Sequence, residues 1–142
     1  PMHEIHAPVP GFSAGTRNAG LIERMFDNLQ PANPVKRFNW SIYSDGELYH
    51  PAASGERNPN PDLAFIRVER QTLRKMPVSR DILFTIRIHL DPLAALAQHP
   101  ERTRLAASLA SQLAALSPEQ LAYKGLTANR DALIVRLAEI GR

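Results

Sequence analysis

A run of charged side chains near the middle of the chain is the feature most able to support chemistry. Residues 67–72 (RVERQT) hold three charged and two polar side chains between apolar neighbours. In a β-strand alternate side chains face the same way, so Arg67 and Glu69 would share a face with Phe65. If that face is buried, the charges must satisfy one another or a ligand. If the face of Ile66 is buried instead, they are surface residues, and the pattern leaves both interpretations open.

Histidine is the next residue type to consider, because the chain has no cysteine and therefore no thiolate ligand or nucleophile. No helical metal-binding motif includes any of the five histidines, which are His3, His6, His50, His89 and His99. A lone histidine is more often a surface or core residue than a ligand. His6 is the best candidate, since Pro8 and Pro10 restrict the backbone beside it, and His3 is the alternative.

Composition and charge narrow the class of protein. The net charge is +3, but basic residues are interleaved with acidic ones, so we expect no nucleic-acid partner. No apolar run reaches the roughly 20 residues of a membrane helix, and no signal peptide is visible. We therefore expect a cytoplasmic protein with no membrane partner. The length suits one domain, so we predict a single domain over residues 1–142.

The spacing of apolar residues predicts one helix in the first part of the chain. Leu21, Met25 and Leu29 recur every four residues, which is typical of an amphipathic helix. A hydroxyl group at Ser13 or Thr16 can cap its start, and prolines further along stop it.

Strand-like runs and a helical tail follow this helix. The runs that alternate apolar and polar side chains are residues 37–43, 63–76 and 81–90. Polar turns between successive runs favour an antiparallel sheet. Beyond them, segments rich in leucine and alanine predict helices, one of which begins with a capping box at Ser117 and Gln120. The predicted fold class is α+β, with a helix, a three-strand antiparallel sheet and a helical C-terminal tail.

Several motifs together resemble one known family. They are IHAPVPGF (residues 5–12), RFNWSI (37–42), FIRVERQTLRKMPVSRDILFTIRIHLDPL (65–93) and AYKGL (122–126). These motifs are similar to the haem-dependent oxidative N-demethylase alpha-subunit family. The third motif is long and ordered, and the resemblance extends over about residues 3–126.

The resemblance implies a haem-binding PAS-like domain in which the three strands are the last strands of the sheet. It implies a haem-dependent monooxygenase that oxidatively N-demethylates a small secondary amine such as dimethylamine, with dioxygen as oxidant and formaldehyde as a product. Electrons for the haem iron would come from flavin and iron–sulfur centres on partner subunits. We therefore expect the reductase subunits of a multicomponent oxygenase as partners, and a homo- or hetero-oligomer.

The resemblance also implies roles for individual residues. A histidine near the first helix would be the proximal iron ligand, so His6 is the expected haem ligand and His3 the alternative. A carboxylate suits a protonated amine, and an arginine suits an oxygen ligand or a haem propionate. The expected distal and catalytic residues are Arg37, Asn39, Arg67 and Glu69. Arg37 and Asn39 alternate with Trp40 along their strand, and which of them face inward stays open.

Because of the length of the chain, two alternatives to the monooxygenase function stay open. The family domain is longer than this chain, so residues 1–142 are expected to form the C-terminal part of a longer PAS-like domain. Without the preceding strands the sheet would have open edges. The alternatives are a non-catalytic haem or small-ligand PAS-like sensor, and an inactive truncated fragment that acts as an interaction domain.

Overall fold

The fold consists of one helix, three strands and a group of C-terminal helices. The computed structural model describes residues 9–11, 15–50 and 59–142. Its elements in chain order are α1 (Arg17–Asp27), β1 (Val35–Tyr43), β2 (Phe65–Lys75), β3 (Ile82–Pro92), a 3₁₀ helix (Leu93–Gln98), α2 (Arg102–Ala114), α3 (Pro118–Lys124) and α4 (Arg130–Ile140). The predicted α+β fold class is confirmed. No helix in the described ranges is both long and apolar enough to cross a membrane.

Helix α1 begins at one of the two predicted caps. Thr16 is the N-cap, and its Oγ1 accepts a hydrogen bond from the Ala19 N–H at 3.3 Å. This bond satisfies one of the N–H groups that a first helical turn leaves without an internal partner. Ser13, the other predicted cap, lies outside the described residues. The helix ends at Asp27, a few residues before the prolines that were expected to stop it.

The three strands form one antiparallel sheet in the order β1-β2-β3. In the turn between β2 and β3, the Met76 N–H donates to the Asp81 carbonyl oxygen at 2.8 Å, and Arg80 has a left-handed φ of 65°. At the far end of the same strand pair, the Leu93 N–H donates to the Ala64 carbonyl oxygen at 2.7 Å. Both bonds fit one register, in which odd-numbered residues of β2 lie opposite even-numbered residues of β3.

The chain divides into two compact units. Unit 1 is Pro1–Asn39 with Glu69–Ile88, and unit 2 is Trp40–Val68 with His89–Arg142. Unit 1 contains α1, the start of β1 and the β2–β3 hairpin, whereas unit 2 contains the remaining parts of the strands and the C-terminal helices. The expectation of a single domain, forming part of a longer PAS-like domain, stays a prediction.

Unit 2 has a hydrophobic core in which the strands pack against the C-terminal helices. Its buried members are Ile42, Ala64, Leu93, Ala106, Leu113, Leu121, Leu126, Leu133, Leu137 and Ile140. Trp40 and Ile66 are partly buried and pack against the same cluster. Helices α2 and α4 make the most extensive contact between helices in this unit. The even-numbered residues of β1 and β2 in unit 2 therefore face the helices.

Trp40 connects the sheet to the helical tail at two points. Its indole Nε1–H donates to Gln112 Oε1 at 2.8 Å, and Lys124 Nζ donates to its carbonyl oxygen at 2.6 Å. The ammonium group of Lys124 also lies 5.1 Å from the centre of the indole ring, within the range of a cation–π interaction. Trp40 is therefore a partly buried residue that packs against the core and has a satisfied N–H group.

The start and end of α3 follow local sequence signals. Ser117 Oγ accepts from the Gln120 N–H, and Gln120 Oε1 accepts from the Ser117 N–H at 2.9 Å, which confirms the predicted capping box. The helix ends at Gly125, whose φ of 64° lies in the left-handed region that favours glycine.

The core of unit 2 predicts a clear contrast between two positions on α4. Leu137 is fully buried and Val135 is 59% exposed. We expect Leu137→Ala to lower the free energy of unfolding by about 2–5 kcal/mol, because it leaves a cavity between packed helices. Val135→Ala should change it by less than about 0.5 kcal/mol. Urea denaturation followed by the fluorescence of Trp40, the single tryptophan, measures both; equal effects would contradict the packing described.

Candidate functional site

The sheet presents a second face, made of the side chains that point away from the unit 2 helices. Since Ile42 and Ile66 pack against the core, the odd-numbered residues of β1 and β2 lie on the other side. In agreement, the guanidinium carbon of Arg67 lies 5.2 Å from the ring centre of Tyr43. The strand register adds the even-numbered residues of β3. Seven residues on the part of this surface in unit 1 are called the candidate face; they are Arg37, Asn39, Glu69, Gln71, Phe84, Ile86 and Ile88.

The polar centre of the candidate face is the pair Glu69 and Gln71. Gln71 Nε2 donates a hydrogen bond to Glu69 Oε2 at 3.0 Å, and both side chains are half-buried. The amide therefore fixes the orientation of the carboxylate. A carboxylate that is partly removed from water attracts a cation more strongly than one in bulk solvent. The arrangement is suited to holding a small cationic group.

Strand β3 contributes an apolar row to the same face. Phe84 is 50% exposed, Ile86 is 47% exposed and Ile88 is half-buried. The register places Ile86 opposite Gln71 and Ile88 opposite Glu69, so the apolar row adjoins the polar pair. Large apolar side chains that are exposed together commonly mark a binding surface. The candidate face thus combines an anionic group with an apolar surface.

Strand β1 contributes the remaining polar residues of the candidate face. Arg37 is exposed and Asn39 is half-buried. They lie on the side of the strand opposite Trp40, which packs against the helical core. The sequence left open which side chains of β1 share a face with the predicted site residues of β2. The structure places Arg37 and Asn39 on the same face of the sheet as Glu69. Their catalytic roles stay predictions.

Arg67 belongs to unit 2, where it holds the segment that follows β1. It is only 9% exposed, and its Nη1 donates to the Leu48 carbonyl oxygen at 3.2 Å. The ring of His50 lies 4.9 Å from that of Tyr43, and His50 Nε2 lies 3.5 Å from Asp45 Oδ1. Arg67 is therefore buried even though it points away from the core. Its expected part in catalysis stays a prediction.

The expected iron ligands cannot be placed. His3 and His6 lie outside the described residues. Within the part of the chain that the structure describes, no group of three or more His, Cys, Asp or Glu side chains could hold a metal ion. The candidate face itself has no histidine, methionine or tyrosine, so an axial ligand for haem would have to come from another part of the protein.

Four contributors to the candidate face were not recognised from the sequence as site residues. They are Gln71, Phe84, Ile86 and Ile88. The two-residue period of β2 already placed Gln71 beside Glu69, and this signal could have included it. For Phe84 and Ile86, the alternation in β3 predicted a shared face but gave no indication that this face is exposed.

The fold is α+β, and the candidate face combines a carboxylate with an exposed apolar row. A family model described as haem-dependent oxidative N-demethylase, alpha subunit-like, matches residues 1–134. Because the match covers nearly all of the 142 residues, the protein belongs to this family. The family description connects the protein with haem and, through the term alpha subunit, with a multisubunit complex.

The candidate face meets two of the three requirements of haem binding. Phe84 and Ile86 provide an exposed apolar surface for the macrocycle. Arg37 is an exposed cation on the same face, and a guanidinium group pairs well with a propionate. The third requirement is an axial ligand, which the candidate face does not supply. The candidate face therefore offers apolar and cationic groups that suit haem, and it does not supply the group that would bind the iron.

The contacts of Arg67 predict that it stabilises the segment after β1. We expect Arg67→Ala to lower the free energy of unfolding by about 1–3 kcal/mol, because the Leu48 carbonyl group loses its donor. The exposed residues Leu48 and Tyr49 should be cleaved faster by chymotrypsin. Arg74→Ala, at an exposed position of the same strand, is the matched control and should change neither quantity. Unchanged proteolysis of the Arg67 variant would contradict this role.

Proposed function

We propose that this protein is a haem-dependent monooxygenase component that carries out oxidative N-demethylation of a small secondary amine such as dimethylamine. The observation that supports the proposal is the position of the Glu69–Gln71 pair beside an exposed apolar row, in a member of this family. A protonated dialkylamine needs both parts, since it has one cationic group and small apolar substituents. We take the candidate face as part of the substrate and haem site.

Glu69 is the proposed amine-binding residue. Its carboxylate pairs with the ammonium group in a charge-assisted hydrogen bond, and Gln71 keeps the carboxylate oriented for this contact. The methyl groups of the amine would lie against Ile86 and Ile88, where they lose contact with water. Asn39 is a further polar group on the same face and contributes an amide donor and acceptor.

In this proposal the haem binds to the apolar row of β3 and to residues outside the candidate face. When bound, haem supplies the iron chemistry that activates dioxygen and oxidises an N-methyl group, with electrons from flavin and iron–sulfur centres of reductase subunits. Phe84 would contact the macrocycle and Arg37 would pair with a propionate. His6, or His3 in its place, is the proposed iron ligand. Arg67 acts indirectly, through the segment that it holds.

Haem ligation is tested by titrating the protein with haemin. We expect a Soret band at a ratio of one haem per chain, and we expect His6→Ala to abolish the band because the imidazole ligand is lost. His99→Ala is the matched control, since His99 is an exposed residue at the end of the 3₁₀ helix, and it should leave the band unchanged. If His3→Ala abolishes the band and His6→Ala does not, the alternative ligand is correct. If no band forms, the proposal that this protein binds haem is wrong.

The role of Glu69 is tested by formaldehyde release from dimethylamine in the presence of the reductase subunits. We expect Glu69→Gln to lower kcat/KM by about tenfold to a hundredfold, because a hydrogen bond to a charged group contributes about 1.5–3 kcal/mol. Glu47→Gln is the control at an exposed carboxylate and should be neutral. A haem-loaded protein that binds dioxygen but releases no formaldehyde would instead be a sensor, and the demethylase proposal would be wrong.

A further inference from the structure

The face of the sheet opposite the candidate face is strongly basic in unit 1. Alternation along β1 and β2, with the register of β3, assigns it eight strand residues. We call this surface the basic face; it comprises Lys36, Phe38, Arg70, Thr72, Arg74, Leu83, Thr85 and Arg87. Four of the eight are cations, and none is acidic. A surface with this composition attracts anionic groups.

The cations of the basic face make no ion pairs with the residues that the structure describes. No salt bridge in the described ranges includes Lys36, Arg70, Arg74 or Arg87. By contrast, Arg104 and Arg136 in the C-terminal helices each contact a carboxylate, at 2.9 Å and 3.2 Å. The basic face thus keeps its charge available for another molecule.

Two of these cations are placed unfavourably in the isolated chain. The register sets Arg70 directly opposite Arg87, and like charges in directly opposed positions destabilise a sheet. The Nε atom of Arg70 is also buried and makes no hydrogen bond with any described residue. A buried donor without an acceptor is costly. An anionic group between the two guanidinium groups would reduce their repulsion.

Exposed apolar residues lie among these cations. Phe38 is 68% exposed and Leu83 is 50% exposed. Protein–protein interfaces combine aromatic and arginine side chains in this way, and the residues that contribute most of the binding energy are often of these types. A surface that binds nucleic acid only through its phosphates would not need an exposed phenylalanine and an exposed leucine. Acidic residues elsewhere also keep the net charge at only +3.

We propose that the basic face is a docking surface for an acidic protein partner, whose carboxylates surround an apolar patch. The partner's apolar patch covers Phe38 and Leu83, and its carboxylates pair with Arg70, Arg74 and Arg87. The charge of the basic face and its exposed apolar residues carry this proposal, and it does not depend on the chemistry proposed for the candidate face. It agrees with the multisubunit complex that the family description implies.

The test uses a fluorescent acidic peptide with an apolar centre, EEDLFLDEE, and two variants of equal charge. The surface variant carries Lys36→Gln, Arg74→Gln and Arg87→Gln. The control variant removes three exposed cations elsewhere and carries R17Q, R102Q and R142Q. Fluorescence anisotropy at low salt measures Kd. We expect the surface variant to weaken binding about tenfold, since each exposed pair contributes about 0.2–1 kcal/mol, and the control variant to weaken it less than twofold.

A second comparison separates a protein-binding surface from a general polyanion-binding one. Phe38→Ser should weaken binding of the apolar-centred peptide but not of EEDSSSDEE, because only the first peptide contacts the phenyl ring. Equal weakening by the surface and control variants would overturn the proposal, as would the absence of measurable binding. Tighter binding of duplex DNA than of the apolar-centred peptide, lost in the surface variant, would overturn it in favour of a nucleic-acid surface.

Discussion

The packing of β1 and β2 against the C-terminal helices determines which side chains of these strands point into the core of unit 2. Ile42 is fully buried, and Trp40 donates a hydrogen bond to Gln112 and accepts one from Lys124 at its carbonyl oxygen. Because side chains alternate along a strand, a shift by one residue would exchange the two faces. The same alternation puts Glu69 and its neighbour Arg70, both in unit 1, on opposite surfaces of the sheet.

Local signals explain why so much of the fold could be predicted from the sequence. The caps at Thr16 and Ser117 depend only on nearby residues, and both are confirmed. The ends of all three strands also lie within two residues of the ends of the predicted runs. The buried face of β2 could not be predicted, because apolar residues occur on both faces of this strand. The contacts that decide it join distant positions, such as Trp40 and Gln112, which are 72 residues apart.

The candidate site was predictable to the extent that it follows from strand alternation. Arg37 and Glu69 were predicted as site residues, and the structure places them on one face of the sheet. Arg67 also follows from strand alternation, because it lies two residues before Glu69 in the same strand. Its burial depends on contact with the segment after β1, and strand alternation does not predict where that segment lies. The assignment of His6 had no such basis. The neighbouring Pro8 and Pro10 distinguished it from the other histidines, but its role as an iron ligand came only from the family resemblance.

The contrast between the two units gives a thermodynamic reason for the proposed binding surfaces. Among the described residues of unit 1, only Ala19 and Leu29 are buried hydrophobic residues, whereas unit 2 has an extensive core. A region with few buried apolar contacts opens more readily than a packed core. A ligand that binds only the ordered form stabilises that form. Haem or amine on the candidate face and a protein on the basic face would stabilise the same three strands.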